Sequence, residues 1–373
     1  MEELSKITVV LPSLDPDEKL LTVVQGLITY GFEDVILVND GSKAENRHYF
    51  EAAAAYPQVH LLEHPCNRGK GAALKTAFAW FLENRPEGAG VVTVDGDNQH
   101  HPEDTRACAL HMLETGRLTL GVRDFSQPDV PFRSRSGNRI TSFVFRIFVG
   151  MRLSDTQTGL RAIPRADLEL LGAISGERFE YETNMLLAMK ENGIPFDEVT
   201  IRTVYIEENK SSHFRAVRDS WRIYKLILAH FFKYTLSSLF SAAVDEALFV
   251  LLTHLLQGTL TGMALTAIPT AAARLASSLL NFFLNQRLVF RRSGGTGKAL
   301  ARYYALAVPI ALLQIVLTHA FCLLLHIGEA QTLLRSAVHA VVMIVLFIVN
   351  FTVQQRWVFP KGKAPSHSGR VRV

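Results

Sequence analysis

Cysteine is scarce: Cys66, Cys108 and Cys322 are the only three in 373 residues, and their spacing matches no metal-binding pattern. An odd number without paired motifs excludes a disulfide framework and predicts a reduced compartment. Residues 1 to about 230 lack any apolar run long enough to cross a bilayer, and the opening Met1-Glu2-Glu3-Leu4-Ser5-Lys6 is acidic. No signal peptide is expected, so this part of the chain is expected to stay in the cytoplasm.

Charge becomes scarce from Phe231 onward. Four apolar segments, at roughly 233–256, 263–286, 303–326 and 336–355, have about the ~20 residues a helix needs to cross a ~30 Å hydrocarbon core. Acids are absent from 287–302, which holds Arg287, Arg291, Arg292, Lys298 and Arg302. They are also absent after 355, where Arg356, Lys361, Lys363, Arg370 and Arg372 lie. The opposite connections hold only Glu329 and Arg335. This bias predicts a multi-pass protein of the cell (plasma) membrane with both termini inside. Three regions are expected: 1–230, 231–360 as an all-α transmembrane domain of four helices, and a basic cytoplasmic tail over 361–373.

The first region alternates strand-like runs with helical stretches. Ile7 to Leu11, Val35 to Val38, Val59 to Leu62, Val91 to Val94 and Leu118 to Val122 read as strands of a mostly parallel, Rossmann-like α/β sheet. Ligands of such sheets bind outside the carboxyl ends of the strands. The fourth run ends in Asp95-Gly96-Asp97-Asn98-Gln99-His100. Two carboxylates at i and i+2 offer a hard divalent cation part of its oxygen shell and leave room for substrate phosphates. Asp40-Gly41-Ser42 can turn tightly and offer a carboxylate to ribose or base. Asn67-Arg68-Gly69-Lys70-Gly71 puts backbone amides, Lys70 and a helix N-terminus where a phosphate could lie.

These motifs, with Val9-Val10-Leu11-Pro12 and Asp155-Thr156-Gln157-Thr158-Gly159-Leu160-Arg161, resemble glycosyltransferase family 2, and within it the polyprenyl-phosphate sugar transferases related to dolichol-phosphate mannose synthase. The resemblance covers about residues 6 to 230 and implies a GT-A-like fold. It implies that Asp95, Asp97 and Gln99 hold Mg²⁺ or Mn²⁺ on the donor diphosphate, that Pro12 and Asp40 face the nucleoside, and that Asp155 and Glu182 lie near the acceptor. Two positions depart from the family pattern: Asp15-Pro16 replaces an Asn-Glu pair, and Asn39 stands where Asp is usual.

Acceptor chemistry follows from charge. A sugar hydroxyl needs a general base, whereas a phosphate monoester carries about −1.5 to −2 at pH 7 and needs cationic clamps. Arg123, Arg133, Arg135 and Arg139 follow the fifth run; Arg161, Arg202 and Lys210-Ser211-Ser212 come later. Arg suits bidentate phosphate contacts and Lys supplies a point charge. Asp155 is expected to orient Arg161 or another basic group. Catalysis is thus expected from Asp97, Arg123, Arg135, Asp155 and Lys210, with Arg133, Arg135, Arg161, Lys210 and Ser211 on the acceptor phosphate. From Phe214 to His230, apolar and basic positions alternate at helical spacing, consistent with a helix in the headgroup layer or one packed on the domain's own core.

The membrane region repeats. Asn281 to Phe290 and Asn350 to Phe359 agree at six of ten positions with an offset of 69, and the same offset maps Lys233-Tyr234 onto Arg302-Tyr303. Two similarly oriented helical hairpins are expected, related by an axis near the membrane normal. Asp245 and Arg274 fall at similar depth, so Asp245 or its neighbour Glu246 is expected to pair with Arg274, as a structural ion pair or as a headgroup site. Lys233-Tyr234, Asp245 and the two Asn-Phe ends resemble the GtrA-like family, which is associated with export of lipid-linked sugars.

The expected activity is inverting transfer of a hexose, UDP-glucose being the first expectation for donor, to polyprenyl (undecaprenyl) phosphate, with the membrane region receiving or translocating the product. The alternatives are a processive polysaccharide synthase, whose Gln-x-x-Arg-Trp motif is only mimicked by Gln354-Gln355-Arg356-Trp357, and a lipid-linked sugar transporter or scaffold with an inactive transferase domain. Expected partners are a nucleotide diphosphate-sugar, the lipid phosphate and the membrane, with no nucleic acid and with self-association left open.

Overall fold

The computed structural model describes residues 4–127, 130–202, 216–290, 295–327 and 331–360. Two compact units divide it, Met1–Leu226 and Ile227–Val373. The first runs β1 (Ile7–Ser13), α1 (Lys19–Thr29), β2 (Val35–Asn39), α2 (Arg47–Ala54), β3 (Val59–Glu63), α3 (Lys70–Asn84) and β4 (Gly90–Thr93). It continues through α4 (Pro102–Thr115), β5 (Leu118–Arg123), α5 (Phe132–Val144), β6 (Arg161–Pro164), α6 (Arg165–Ala173), α7 (Glu180–Asn192) and β7 (Phe196–Ile201).

The strands form one sheet in the order β3-β2-β1-β4-β6-β5-β7. All neighbours are parallel except β6, which runs antiparallel to β4 and β5. Every residue of β2 and β4 is buried, as expected of strands covered by helices on both faces. On one face Val9, Leu11, Val35, Leu37 and Val92 meet Leu20, Val23 and Leu27 of α1 and Cys108 and Met112 of α4. Sequence pattern did not reveal β6, because four residues ending in proline give no strand-like run. Its reversed direction brings Gly159, Leu160 and Arg161 to the edge where β1, β2, β4 and β5 end.

Two glycines fix the entry to α3. Gly69 has φ +107°, and a Cβ there would lie 2.4 Å from the Glu177 carbonyl oxygen; one on Gly71 would lie 2.5 Å from Tyr181 Cβ. The first turn of α3 is thus pressed onto residues 177–181. Lys70 is thereby carried toward Glu182.

The membrane unit is built from the part of α8 (Ala216–Leu256) that follows Leu226, with α9 (Met263–Leu284), α10 (Thr296–Leu324) and α11 (Thr332–Val353). Their spans Phe231–Leu256, Met263–Val289, Thr296–Leu324 and Leu333–Val358 are long and apolar enough to cross a membrane. Residues 216–230, within the stretch expected as an amphipathic helix, are helical and form the first part of α8. The Tyr224 and Thr141 hydroxyls are 3.2 Å apart, so this part of α8 touches α5 within the first unit.

Residues 69 apart meet each other across an internal two-fold. Asn285 Nδ2 donates to Gln354 Oε1 at 3.1 Å, and Phe290 stacks on Phe359 with ring centres 5.1 Å apart. Reciprocal contacts flank them: Asn350 donates to the Tyr234 hydroxyl at 3.0 Å, and the Tyr303 hydroxyl donates to Asn281 at 3.2 Å. Both α9 and α11 end in a widened π turn, over Asn285–Val289 and Gln354–Val358. Asn285 and Gln354 are buried; beyond the bond between them, the Asn285 oxygen accepts from the Ser237 hydroxyl and the Gln354 nitrogen donates to Tyr234 and Asn350, so both amides are satisfied where water is excluded.

Candidate active site

The Asp95 motif leaves the carboxyl end of β4 beside α3. Asp95 Oδ1 lies 2.7 Å from Lys70 Nζ, and Lys70 also meets Glu182 Oε1 at 2.9 Å. On the other side Asp95 Oδ2 is 3.7 Å from His100 Nε2. Gly159 closes over the pair: the Thr93 hydroxyl donates to its carbonyl at 2.7 Å, and a Cβ on it would sit 2.4 Å from Asp95 Oδ2. Burial opposes ionisation of both partners, yet each outweighs it for the other. Asp95 is held below the usual carboxylate range by Lys70 and His100, and Lys70 is held above the usual ammonium range by Asp95 and Glu182.

Asp97 behaves oppositely. Burial, then the Asp95 charge, push its carboxyl up, although it accepts the Gln99 backbone N–H at 3.1 Å. Two neighbouring carboxylates, Asp97 without an ion pair as close as that of Asp95 to Lys70, and the Gln99 amide oxygen nearby in sequence form a hard oxygen donor set. These residues fit a divalent cation. Among the described residues no cluster of three or more His, Cys, Asp or Glu side chains is arranged around a metal position.

At the end of β5, Arg123 is gripped from two sides. Its Nε and Nη2 donate to Asp155 at 2.7 and 3.2 Å, and its guanidinium lies 5.1 Å from the Phe125 ring centre. Asp155 is fully buried, so this fork is a fixed bidentate pair. The basic partner of Asp155 is therefore Arg123 and not Arg161.

Arg161 is 1% exposed, a correction to its expected place on the acceptor phosphate. Its Nε donates to the Thr158 carbonyl at 3.1 Å and Nη1 to the Glu182 carbonyl at 2.9 Å, tying β6 to α7. Burial pushes its guanidinium down, toward easier deprotonation. Arg202 is also reassigned: it pairs with Glu103 and Asp104 on α4. Arg135 donates to the Gln127 carbonyl at 2.7 Å. Arg139 is exposed on α5, and Arg133 contributes its backbone to the same helix. Lys210, Ser211 and Ser212 lie outside the described residues.

Asp40 departs from the nucleoside-facing expectation. It is 3% exposed, and its carboxylate accepts the backbone N–H groups of Arg68 at 3.0 Å and Gly69 at 2.7 Å and meets His64 Nδ1 at 2.7 Å. It braces the entry to α3. Pro12 is buried in β1, paired with Val38 of β2. Gly41 has φ +73°, and a Cβ there would lie 2.2 Å from the Cys66 backbone. The two departures from the family pattern have local partners: Asn39 Oδ1 accepts the Ser42 N–H at 2.9 Å, while Ser42 Oγ accepts the Asp15 N–H and Asp15 Oδ1 the Lys43 N–H, both at 2.8 Å. His100 and Gly159, both inside quoted motifs, were missed as neighbours of Asp95. The Gly159 contact arises only when β6 reverses beside β4, whereas His100 folds back on Asp95 within the loop that follows β4.

In the membrane unit Arg274 Nη2 lies 3.0 Å from Asp245 Oδ2, and the Ser277 hydroxyl donates to Asp245 Oδ1 at 2.8 Å. Glu246 is exposed on α8. The second hairpin has Gln314 in place of Asp245, hydrogen-bonded to His339 at 3.1 Å, and Met343 in place of Arg274. Gln354, first residue of the segment mimicking the synthase motif, is buried against Asn285 and Tyr234.

This sheet order with acids at the end of β4 defines a GT-A-type α/β domain, and residues 9–171 match Glycosyl transferase family 2 while residues 233–359 match GtrA/DPMS, transmembrane domain. The chain is a family 2 glycosyltransferase domain joined to a GtrA/DPMS transmembrane domain. It is 27% identical over 232 residues to an uncharacterized protein of Methanocaldococcus jannaschii, covering 61% of this chain and 93% of that one. It is 25% identical over 220 residues to the UDP-N-acetylglucosamine–dolichyl-phosphate N-acetylglucosaminyltransferase of Methanococcus voltae, covering 54% and 86%. With an undecaprenyl-phosphate 4-deoxy-4-formamido-L-arabinose transferase of Yersinia pestis it shares 28% identity over 178 residues, 46% of this chain and 52% of that protein. Glucosyl-3-phosphoglycerate synthase of Mycobacterium tuberculosis overlaps with a TM-score of 0.44 at 17% identity, over 60% of this chain and 77% of that one.

Proposed function

We propose that the protein transfers a hexose from a UDP-sugar, UDP-glucose first, to a polyprenyl phosphate such as undecaprenyl phosphate, with inversion at the anomeric carbon. One observation carries this reading: the Asp95-Gly96-Asp97 acids and the Asp155-held Arg123 share one sheet edge in a chain that also has four membrane-spanning helices. The names of the relatives from Methanococcus voltae and Yersinia pestis, both transferases onto a lipid phosphate, support the acceptor. Because the first of these uses UDP-N-acetylglucosamine, that donor belongs beside UDP-glucose in any assay.

The acceptor phosphate is already anionic at pH 7, so its oxygen attacks without a general base. Arg123 and Arg135, with Arg133, Lys210 and Ser211, receive that phosphate. Asp155 holds Arg123 in one orientation at the carboxyl end of β5. Arg161 supports Glu182 from behind rather than touching substrate. Asp95, Asp97 and Gln99 would hold Mg²⁺ or Mn²⁺, which neutralises the leaving nucleoside diphosphate when bound. On α5, Phe132, Ile140 and Phe143 are exposed alongside Arg139, an amphipathic face that suits the headgroup layer and brings Arg135 near the lipid phosphate. The basic connections of the membrane unit support a transferase domain on the cytoplasmic side.

The test is to incubate membranes containing the protein with radiolabelled UDP-glucose or UDP-N-acetylglucosamine and undecaprenyl phosphate. A lipid-extractable labelled product that disappears in Asp97→Ala is expected. Hydrolysis of the donor with no lipid product overturns the reading.

A further inference from the structure

The proposed function leaves Lys70 without a part consistent with its position. Its Nζ sits 2.7 Å from one carboxylate oxygen of Asp95 and 2.9 Å from Glu182, at 17% side-chain exposure. It thus occupies an oxygen that a divalent cation on Asp95 would need. Gly159 lies against the same pair: a Cβ there would sit 2.4 Å from Asp95 Oδ2 and 3.3 Å from Lys70 Nζ, so backbone lines this side of the ion pair. Glu182 gives the ammonium a second anchor that does not depend on Asp95. That anchor is rigid, because the Glu182 backbone is tied to Arg161 and the first turn of α3 is pressed onto residues 177–181.

We infer that Lys70 is a displaceable resident cation: it neutralises Asp95 in the empty site, yields that carboxylate oxygen when metal arrives, and stays on Glu182 to meet the donor diphosphate. The inference rests on the proposed metal and nucleotide-sugar reading. Two opposite effects of one substitution follow. Lys70→Met removes the competitor for Asp95, so Mn²⁺ without nucleotide binds about tenfold more tightly; it also removes a charged contact to diphosphate, so UDP at saturating Mn²⁺ binds about tenfold more weakly. A merely structural lysine would weaken both or change neither.

The experiment uses the full chain in nanodiscs, with free Mn²⁺ read by electron paramagnetic resonance and UDP binding by calorimetry. Tighter Mn²⁺ with weaker UDP in Lys70→Met, and values near the wild type in Lys70→Arg, are the expected results. Unchanged or weaker Mn²⁺ binding in a folded Lys70→Met overturns the inference while the proposed function stands. Absence of Mn²⁺ binding in the wild type, with or without UDP, overturns the metal reading and the inference with it. Should Lys70→Met fail to fold, Glu182→Gln decides: Mn²⁺ affinity within twofold of wild type with UDP weakened supports the displaceable cation, and unchanged UDP affinity refutes it.

Discussion

Adding one methyl group at Gly159 probes the centre of the site without removing any charge. The Gly159 backbone lies outside the left-handed region, so alanine is sterically acceptable to the main chain. The new Cβ would nevertheless stand 2.4 Å from Asp95 Oδ2, where ordinary contact begins near 3.4 Å. Either the carboxylate or the 158–161 turn must give by about 1 Å, and the turn is held by the Thr93 hydroxyl and by the Arg161 bond to the Thr158 carbonyl. A misplacement of that size costs roughly 10²-fold in rate when it falls on a positioned group, and overpacking costs about 1–3 kcal/mol of stability. Gly159→Ala is therefore expected to lose about two orders of magnitude of lipid-linked product formation with only a few degrees lost from Tm. Gly172→Ala is the control, since its Cβ would meet nothing within 4 Å. Wild-type turnover in Gly159→Ala would refute the claim that this glycine sets the position of Asp95.

Asp155→Asn keeps the side-chain size but strips the charge from the Arg123 fork; a KM for polyprenyl phosphate raised about 30-fold, with UDP binding unchanged, is expected from ~2 kcal/mol of lost orientation. Equal KM values would place Arg123 elsewhere in the reaction. Burial pushes the Cys108 thiol up to about 12, whereas Cys66 is exposed. At pH 8 only about one Cys108 in 10⁴ is thiolate, so maleimide is expected to modify Cys66 and spare Cys108 until the protein unfolds, as read by peptide mass. In the membrane unit, Arg274→Leu leaves Asp245 without its cation and lowers Tm in detergent, while adding Asp245→Leu restores most of the loss. A double variant as unstable as the single one would show that the pair is not the source of the effect.

The ends of β1, β2 and β4 were legible in the sequence because a parallel strand buried on both faces is written as a nearly unbroken apolar run, and the polar motif that follows stands at the carboxyl edge of the sheet. The four spans were legible for a similar reason: hydrocarbon imposes a length and forbids charge. Side-chain pairings were much less so. Asp40 and Arg161 were expected at the ligand because their residue types suit it, yet each is enclosed by partners up to about 30 residues away, His64 and the Arg68-Gly69 turn for Asp40, Thr158 and Glu182 for Arg161. Whether a charge faces a substrate or a neighbour is decided by tertiary enclosure, which motif spacing does not encode. The Asp245 and Arg274 pair was accessible because helical rise converts sequence distance directly into depth.

The reciprocal contacts between residues 69 apart have a consequence for assembly. Each hairpin presents to its mate nearly the surface that the mate presents in return, so a hairpin of one molecule meets the requirements for clasping the corresponding hairpin of another. Intermolecular exchange would recreate the Asn285–Gln354 bond and the Phe290–Phe359 stack between chains, yielding interlocked dimers with no new contact chemistry. Confinement to two dimensions raises the local concentration that favours such exchange, and the reach of the chain between the two hairpins would decide between closure within one molecule and linkage of two.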